Sequence, residues 1–105
     1  MKSFPESDWK QLRAMQGEKL SLVCERVFGL AESIAQQRKG EEHEAFLRLW
    51  DAVNEGNNLI AQLFDDTRRS NAMFKLIAWR KHGLLSDSEL GLFTEKTREA
   101  LRHLG

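Results

Sequence analysis

Leu59 to Arg80, LIAQLFDDTRRSNAMFKLIAWR, decides how the rest of the chain is arranged. It begins apolar, crosses a polar waist at Asp65, Asp66, Thr67, Arg68, Arg69, Ser70 and Asn71, and ends in the densest hydrophobic run of the sequence. Ile60, Leu63, Phe64 and Thr67 share one helical face, and Phe74, Ile77 and Ala78 share another further along. Asp65 stands three and four residues before Arg68 and Arg69, and Asp66 stands three before Arg69. These are the spacings at which side chains meet on a helix. One helix over about 59–82 is therefore expected, its charges paired internally. The alternative is that Asp66 or Ser70 caps a fresh helix, because Asp, Thr, Ser and Asn favour helix ends.

Downstream, Arg80 and Lys81 suit the last turn of that helix, and Gly83 suits its C′ position. Leu84 and Leu85 pack back. Ser86-Asp87-Ser88-Glu89 reads as a capping box, with Ser86 as N-cap and Glu89 at N3, opening a short helix to Leu92 or Phe93. Thr94 caps a last helix in which Glu95 and Glu99 face Arg98 and Arg102.

Upstream, Asn54-Glu55-Gly56-Asn57-Asn58 is the strongest turn signal and predicts a break or kink. Before it, Glu41, Glu42 and Glu44 start a helix whose expected inner stripe is Phe46, Trp50 and Val53, flanked by Leu47 and Leu49. Leu20, Val23, Cys24, Val27, Leu30, Ala31 and Ile34 recur at three and four residues, predicting an amphipathic helix from about Glu18 to Gln37 that stops at Gly40. Phe28 widens that stripe, and Gly29 within it calls for a close helix crossing. Gly17 predicts a break from a shorter first helix carrying Trp9, Leu12 and Met15, with Ser3 or Ser7 as N-cap. The fold class is all-α: a compact bundle of about five to six helices in a single domain over 1–105, with the 59–82 helix central.

Composition agrees with that class. In 105 residues, 41% are hydrophobic and 30% charged, a globular balance, and the single proline, Pro5, interrupts nothing downstream. The charge is uneven: residues 1–67 carry 8 basic against 12 acidic side chains, residues 68–105 carry 8 against 4. A basic C-terminal third attracts acidic partners or nucleic acid, unless the two portions neutralise each other in the fold. Cys24, the only cysteine, sits in an apolar stripe as a small hydrophobe and has no disulfide partner. No apolar run approaches the roughly 20 residues that span a bilayer, and no signal-peptide core is visible, so a cytoplasmic location without membrane association is expected.

Catalytic signatures are missing. The glycines form neither GxGxxG nor GxxxxGK[ST], and there is no GxSxG, HExxH or CxxC. His43, among glutamates, has no second His three or four residues away to make a metal pair. Asp65 and Asp66 point about 100° apart on a helix and do not converge on one atom. The sequence therefore assigns no catalytic, cofactor-binding or metal-ligating residue and reads as a non-enzyme. Three functional readings follow. The first is protein–protein interaction, either self-association as a homodimer or homo-oligomer or docking to one partner, through Met73, Phe74, Ile77 and Trp79 beside the waist residues Asp65, Asp66, Arg68 and Arg69. The second is nucleic-acid binding: Phe74–His82 and the GLLSDSE turn outline a helix-turn-helix, but the helix after the turn is acidic where a recognition helix meets phosphates, which disfavours it. The third is a small-anion site at Arg68 and Arg69, competing with internal pairing to Asp65 and Asp66.

Three pieces together carry a resemblance: Asp8-Trp9-Lys10 with Leu12-Arg13; Phe64-Asp65-Asp66 with Arg68-Arg69-Ser70 and Ala72; and Gly83-Leu84-Leu85-Ser86-Asp87 running through Glu89 and Phe93 to Glu95, Thr97, Arg98 and Glu99. Their arrangement resembles a set of small uncharacterised bacterial proteins and spans nearly the whole chain. It implies a fold unit and a bacterial origin, and no chemistry. The segment from Phe74 to Leu90 separately resembles SHOCT-type modules, short helical hairpins, which implies a role in oligomerisation.

Overall fold

The structure is a computed structural model and describes residues 4–105. The described residues are helical, without strands: α1 (Glu6–Gln36), α2 (Glu42–Phe64), α3 (Ala72–Lys81), α4 (Asp87–Leu90) and α5 (Glu95–Leu104). The expected all-α class is what is seen. The lengths of the helices are not those expected, and the differences shape the molecule.

α1 runs through Gly17 without a break, so the two N-terminal helices anticipated from sequence are one of 31 residues, about 46 Å long. Pro5 occupies the N-cap position and Ser7 lies inside the first turn, beside the acids Glu6 and Asp8. Ser3 lies outside the described residues. α2 likewise passes through Asn54–Asn58 unbroken. A glycine costs a helix about 1 kcal/mol relative to alanine, less than abandoning a continuous hydrogen-bond ladder. Gly56 has a packing reason as well: a Cβ there would lie 2.6 Å from Val27 Cγ2, so α1 packs tightly on α2 at that point. The close crossing expected at Gly29 is absent, since nothing lies within 4 Å of a Cβ built there.

The central stretch does break. α2 ends at Phe64, Asp66 takes a left-handed backbone (φ 55°), and α3 starts only at Ala72. Helix C-termini leave carbonyls without intrahelical donors, and here side chains from elsewhere supply them. Lys75 Nζ donates to Gln62 O (2.7 Å), Trp79 Nε1 to Leu63 O (3.0 Å), and Gln16 Nε2 (3.2 Å) and Thr67 Oγ1 (2.9 Å) to Phe64 O. Asn71 closes the loop, accepting from Arg68 N and donating to Asp66 O. A continuous helix would forfeit all of these and would carry Trp79 away from Phe64, whose ring centroid lies 5.6 Å from its own. The helix-end preference of Asp, Thr and Asn prevails over the charge spacing.

The C-terminal third follows its sequence signals. α3 closes with Leu84 N donating to Trp79 O and Gly83 N to Arg80 O, the Schellman pattern, with Gly83 at φ 70°. Arg26 of α1 adds two guanidinium donors to His82 O and Gly83 O. The Ser86/Glu89 capping box forms as expected, although α4 stops at Leu90, after a single turn. Arg98 pairs with Glu95 and Arg102 with Glu99 along α5.

These elements build a head and an arm. The hydrophobic core joins Trp9, Leu12, Met15 and Val23 of α1 to Leu63 and Phe64 of α2, to Leu76 and Trp79 of α3, and to Leu84, Leu90, Phe93 and Leu101 beyond. No residue from 24 to 58 belongs to it among the described residues. That span, the second half of α1 and most of α2, projects as a two-helix hairpin. The molecule measures 57 × 26 × 22 Å with a radius of gyration of 16.8 Å, against about 13 Å for a compact chain of this length.

Candidate functional site

The residues singled out around the waist separate in the fold. Arg68 pairs with Asp66 (2.8 Å), and Arg69 pairs through two nitrogens with Glu6 at the start of α1 (2.9 and 3.1 Å) rather than with Asp65 or Asp66. The Arg69 guanidinium also lies 5.1 Å from the centroid of the Trp9 ring. The hydrogen bond from Arg69 holds the Glu6 carboxyl below its ordinary range, and the same bond raises the guanidinium. Both arginines pair with carboxylates through the Nε–Nη2 edge, the internal pairing that competes with an anion, although the partner of Arg69 is Glu6. Trp79 is 0% exposed and Ile77 is half-buried against the core, whereas Phe74 is 74% exposed and Met73 half-buried. The apolar run after the waist therefore closes the head; Trp79 is a core residue, and Phe74 alone of that run stands well clear of the surface. The helix after the turn, which the helix-turn-helix alternative would make its recognition helix, is α4, four residues with two acids in them.

Ionic groups inside the head are committed to structure. Asp8 is buried and accepts from Thr94 N (2.9 Å), Thr94 Oγ1 (2.6 Å) and Thr97 Oγ1 (2.6 Å), which fastens the N-cap residue and first turn of α5 from 86 residues away. Lys19, equally buried, donates to Glu89 at 2.6 Å. Desolvation pushes the Glu89 carboxyl up, but the bonds from Lys19 and from Ser86 N outweigh it and leave the group below its ordinary range. Glu89 therefore joins two tasks, the α4 capping box and the Lys19 pair. Among the described residues every buried side-chain polar atom has a partner.

The arm is different. The sequence assigned Phe46, Trp50 and Val53 to the inner face of α2. In the fold the inner face is Ala45, Ala52 and Gly56, with Leu49 half-buried, and the large residues stand outward: Phe46 59%, Trp50 61% and Val53 50% exposed. The reason is steric. Two long helices approach closely along small residues, and the contact at Gly56 with Val27 sets the seam, rotating the bulky stripe to one side.

Which side is fixed by the grooves along the seam. One groove is lined by Ile34, Ala35, Arg38, Glu42, Ala45, Phe46 and Leu49, so Ala35 of α1 and Phe46 of α2 share a flank. Phe28, 63% exposed, stands seven residues before Ala35; Trp50 and Val53 stand four and seven after Phe46. At 3.6 residues per turn these spacings return to the same face. Phe28, Phe46, Trp50 and Val53 thus form one apolar flank. The groove on the other side carries Arg26, Leu30, Ala52 and Glu55, with charges of both signs. Leu30, placed in the inner stripe by its spacing, lies on that second side and is 51% exposed.

No sequence signal announced this flank, because the stripe that forms it has the same periodicity as a core stripe. The Ala45-Ala52-Gly56 row beside it was the available hint. Among the described residues no three His, Cys, Asp or Glu side chains gather as a metal set, and no helix is long and apolar enough to cross a membrane. Comparison with protein-family models, with curated proteins and with solved structures finds no match.

Proposed function

We propose that this chain is a non-catalytic association protein that docks another polypeptide on the apolar flank of its arm. The supporting observation is the row of three aromatic rings, Phe28, Phe46 and Trp50, each about three-fifths exposed on one side of a hairpin that carries no core of its own. Aromatic residues are enriched at interface centres, where each contributes a large rigid area for little conformational entropy. The head serves as a base: its buried charges fasten helices, and its core anchors both ends of the arm.

The test is a photo-crosslinking residue in place of Trp50, introduced in the cells that make the protein. A discrete protein adduct from position 50, and none from the exposed Lys10 on the head, is the expected result. No adduct from position 50 overturns the reading.

A further inference from the structure

We infer that the occupant of the arm flank is a second copy of this chain, its arm laid on the first so that the four helices form one bundle. The inference rests on the association reading above and names the partner.

Area is the first argument. An aromatic side chain carries about 150–250 Å², so three of them three-fifths exposed, together with half of Val53, present roughly 400 Å² of apolar surface. Each partner of a standard dimer contributes about 800 Å², of which some 60% is apolar. The flank supplies close to that apolar share by itself.

Self-compatibility is the second. A two-fold interface sets a patch against itself, so any net charge on it is doubled in repulsion. Phe28, Phe46, Leu49, Trp50 and Val53 carry none, and the two charged residues that line the same groove, Arg38 and Glu42, are of opposite sign and sum to zero. A surface shaped for an acidic or basic partner would carry a net charge.

Geometry is the third. The arm is a layer two helices wide, close-packed along alanine and glycine, with its three exposed aromatic residues to one side. Its large residues fall at 46, 50 and 53, the four-and-three spacing that fills the interior of a four-helix bundle. A second layer of the same width and length completes that interior, and another copy provides it without any new element.

Sedimentation of the purified full chain from low micromolar to about 100 µM tests the partner. The expected species is a dimer, and Phe46→Asp or Trp50→Asp raises its dissociation constant by about a hundredfold or more. Phe74→Ser, on the head, leaves it unchanged. Because an arm substitution acts on a long helix, the native chain is also read directly: in an equal mixture of isotope-labelled and unlabelled chains, filtered NMR shows contacts from the Trp50 indole across copies. A monomer throughout, or a dimer lacking those contacts, overturns the second-copy proposal. If the position-50 crosslink still forms to a different protein, only the identity of the partner has failed; if no crosslink forms, the association reading has failed with it.

Discussion

Asp8 ties the first turn of α1 to the first turn of α5, and its three acceptor bonds come from the half-buried Thr94 amide and hydroxyl and from the fully buried Thr97 hydroxyl. Asp8→Ala removes the acceptor of all three, one of them out of reach of water. Hydrogen bonds to a charged acceptor contribute about 1.5–3 kcal/mol each, not additively, so a loss of about 3 kcal/mol in urea unfolding is expected. Lys19 and Glu89 make a second such link, with the lysine buried and the carboxylate a quarter exposed. Glu89→Gln keeps the capping geometry but removes the countercharge, and a loss of about 2 kcal/mol at neutral pH is expected. The acid side is also determined. Glu89, Glu6 and Glu95 all titrate below the ordinary 4.5 in the fold, so their contribution is complete above that value and drains away as pH falls through the folded values. Urea midpoints measured downward from pH 6 should decline below about pH 4.5, and less steeply in Glu89→Gln.

Among the elements, the α1–α2 seam depends on one missing side chain. Gly56→Ala places a methyl 2.6 Å from Val27 Cγ2, and with both helices committed along their length the seam opens or strains, at about 1–3 kcal/mol. Val27→Ala in the same chain relieves the contact, so the double variant is more stable than the sum of the singles, a coupling that a thermal-melt cycle reads directly. Gly29 supplies the contrast. It lies in the middle of α1 with open space where a Cβ would sit, and Gly29→Ala should stabilise by about 0.5–1 kcal/mol. The break between α2 and α3 belongs to this scale as well. The Asp-Asp-Thr-Arg-Arg-Ser-Asn run can be written as a pairable helix or as a capped end. Which form occurs depends on Lys75, Trp79 and Gln16 reaching the carbonyls of Gln62, Leu63 and Phe64.

At the scale of the molecule, the radius of gyration of 16.8 Å records a hairpin that leaves the core behind. An association driven by the apolar flank, which carries no net charge, has a salt response opposite to that of a charged one. Raising sodium chloride from about 0.1 to 1 M compresses the Debye length from roughly 10 to 3 Å. The dimer dissociation constant is nevertheless expected to stay within about threefold, and ammonium sulfate to lower it. Dissociation by more than tenfold over the same range would assign the interface to charges instead. The unequal charge of the two portions of the chain, read from sequence as an attraction for nucleic acid, is partly cancelled within the head, where Glu6 meets Arg69 and Asp66 meets Arg68.

The all-helical class, the Schellman end at Gly83, the Ser86 capping box and the α5 ion pairs were legible in the residues, whereas α1 ends at Gln36, before the expected stop at Gly40. Each is local: the partners lie within five residues, and short-range geometry is the same whatever the rest of the chain does. Three features were decided by tertiary structure. Gly17 and Asn54–Asn58 did not break helices, since continuity along the α1–α2 seam outweighs a glycine's cost. The 59–82 stretch did break, since donors from α1 and α3 were there to end it. Phe46, Trp50 and Val53 faced outward, because periodicity shows that a helix has an apolar face but not which neighbour meets it. That choice was made at Gly56, where Val27 occupies the space a side chain would need, and it turned a row of residues with the pattern of a core into the outer surface of the arm.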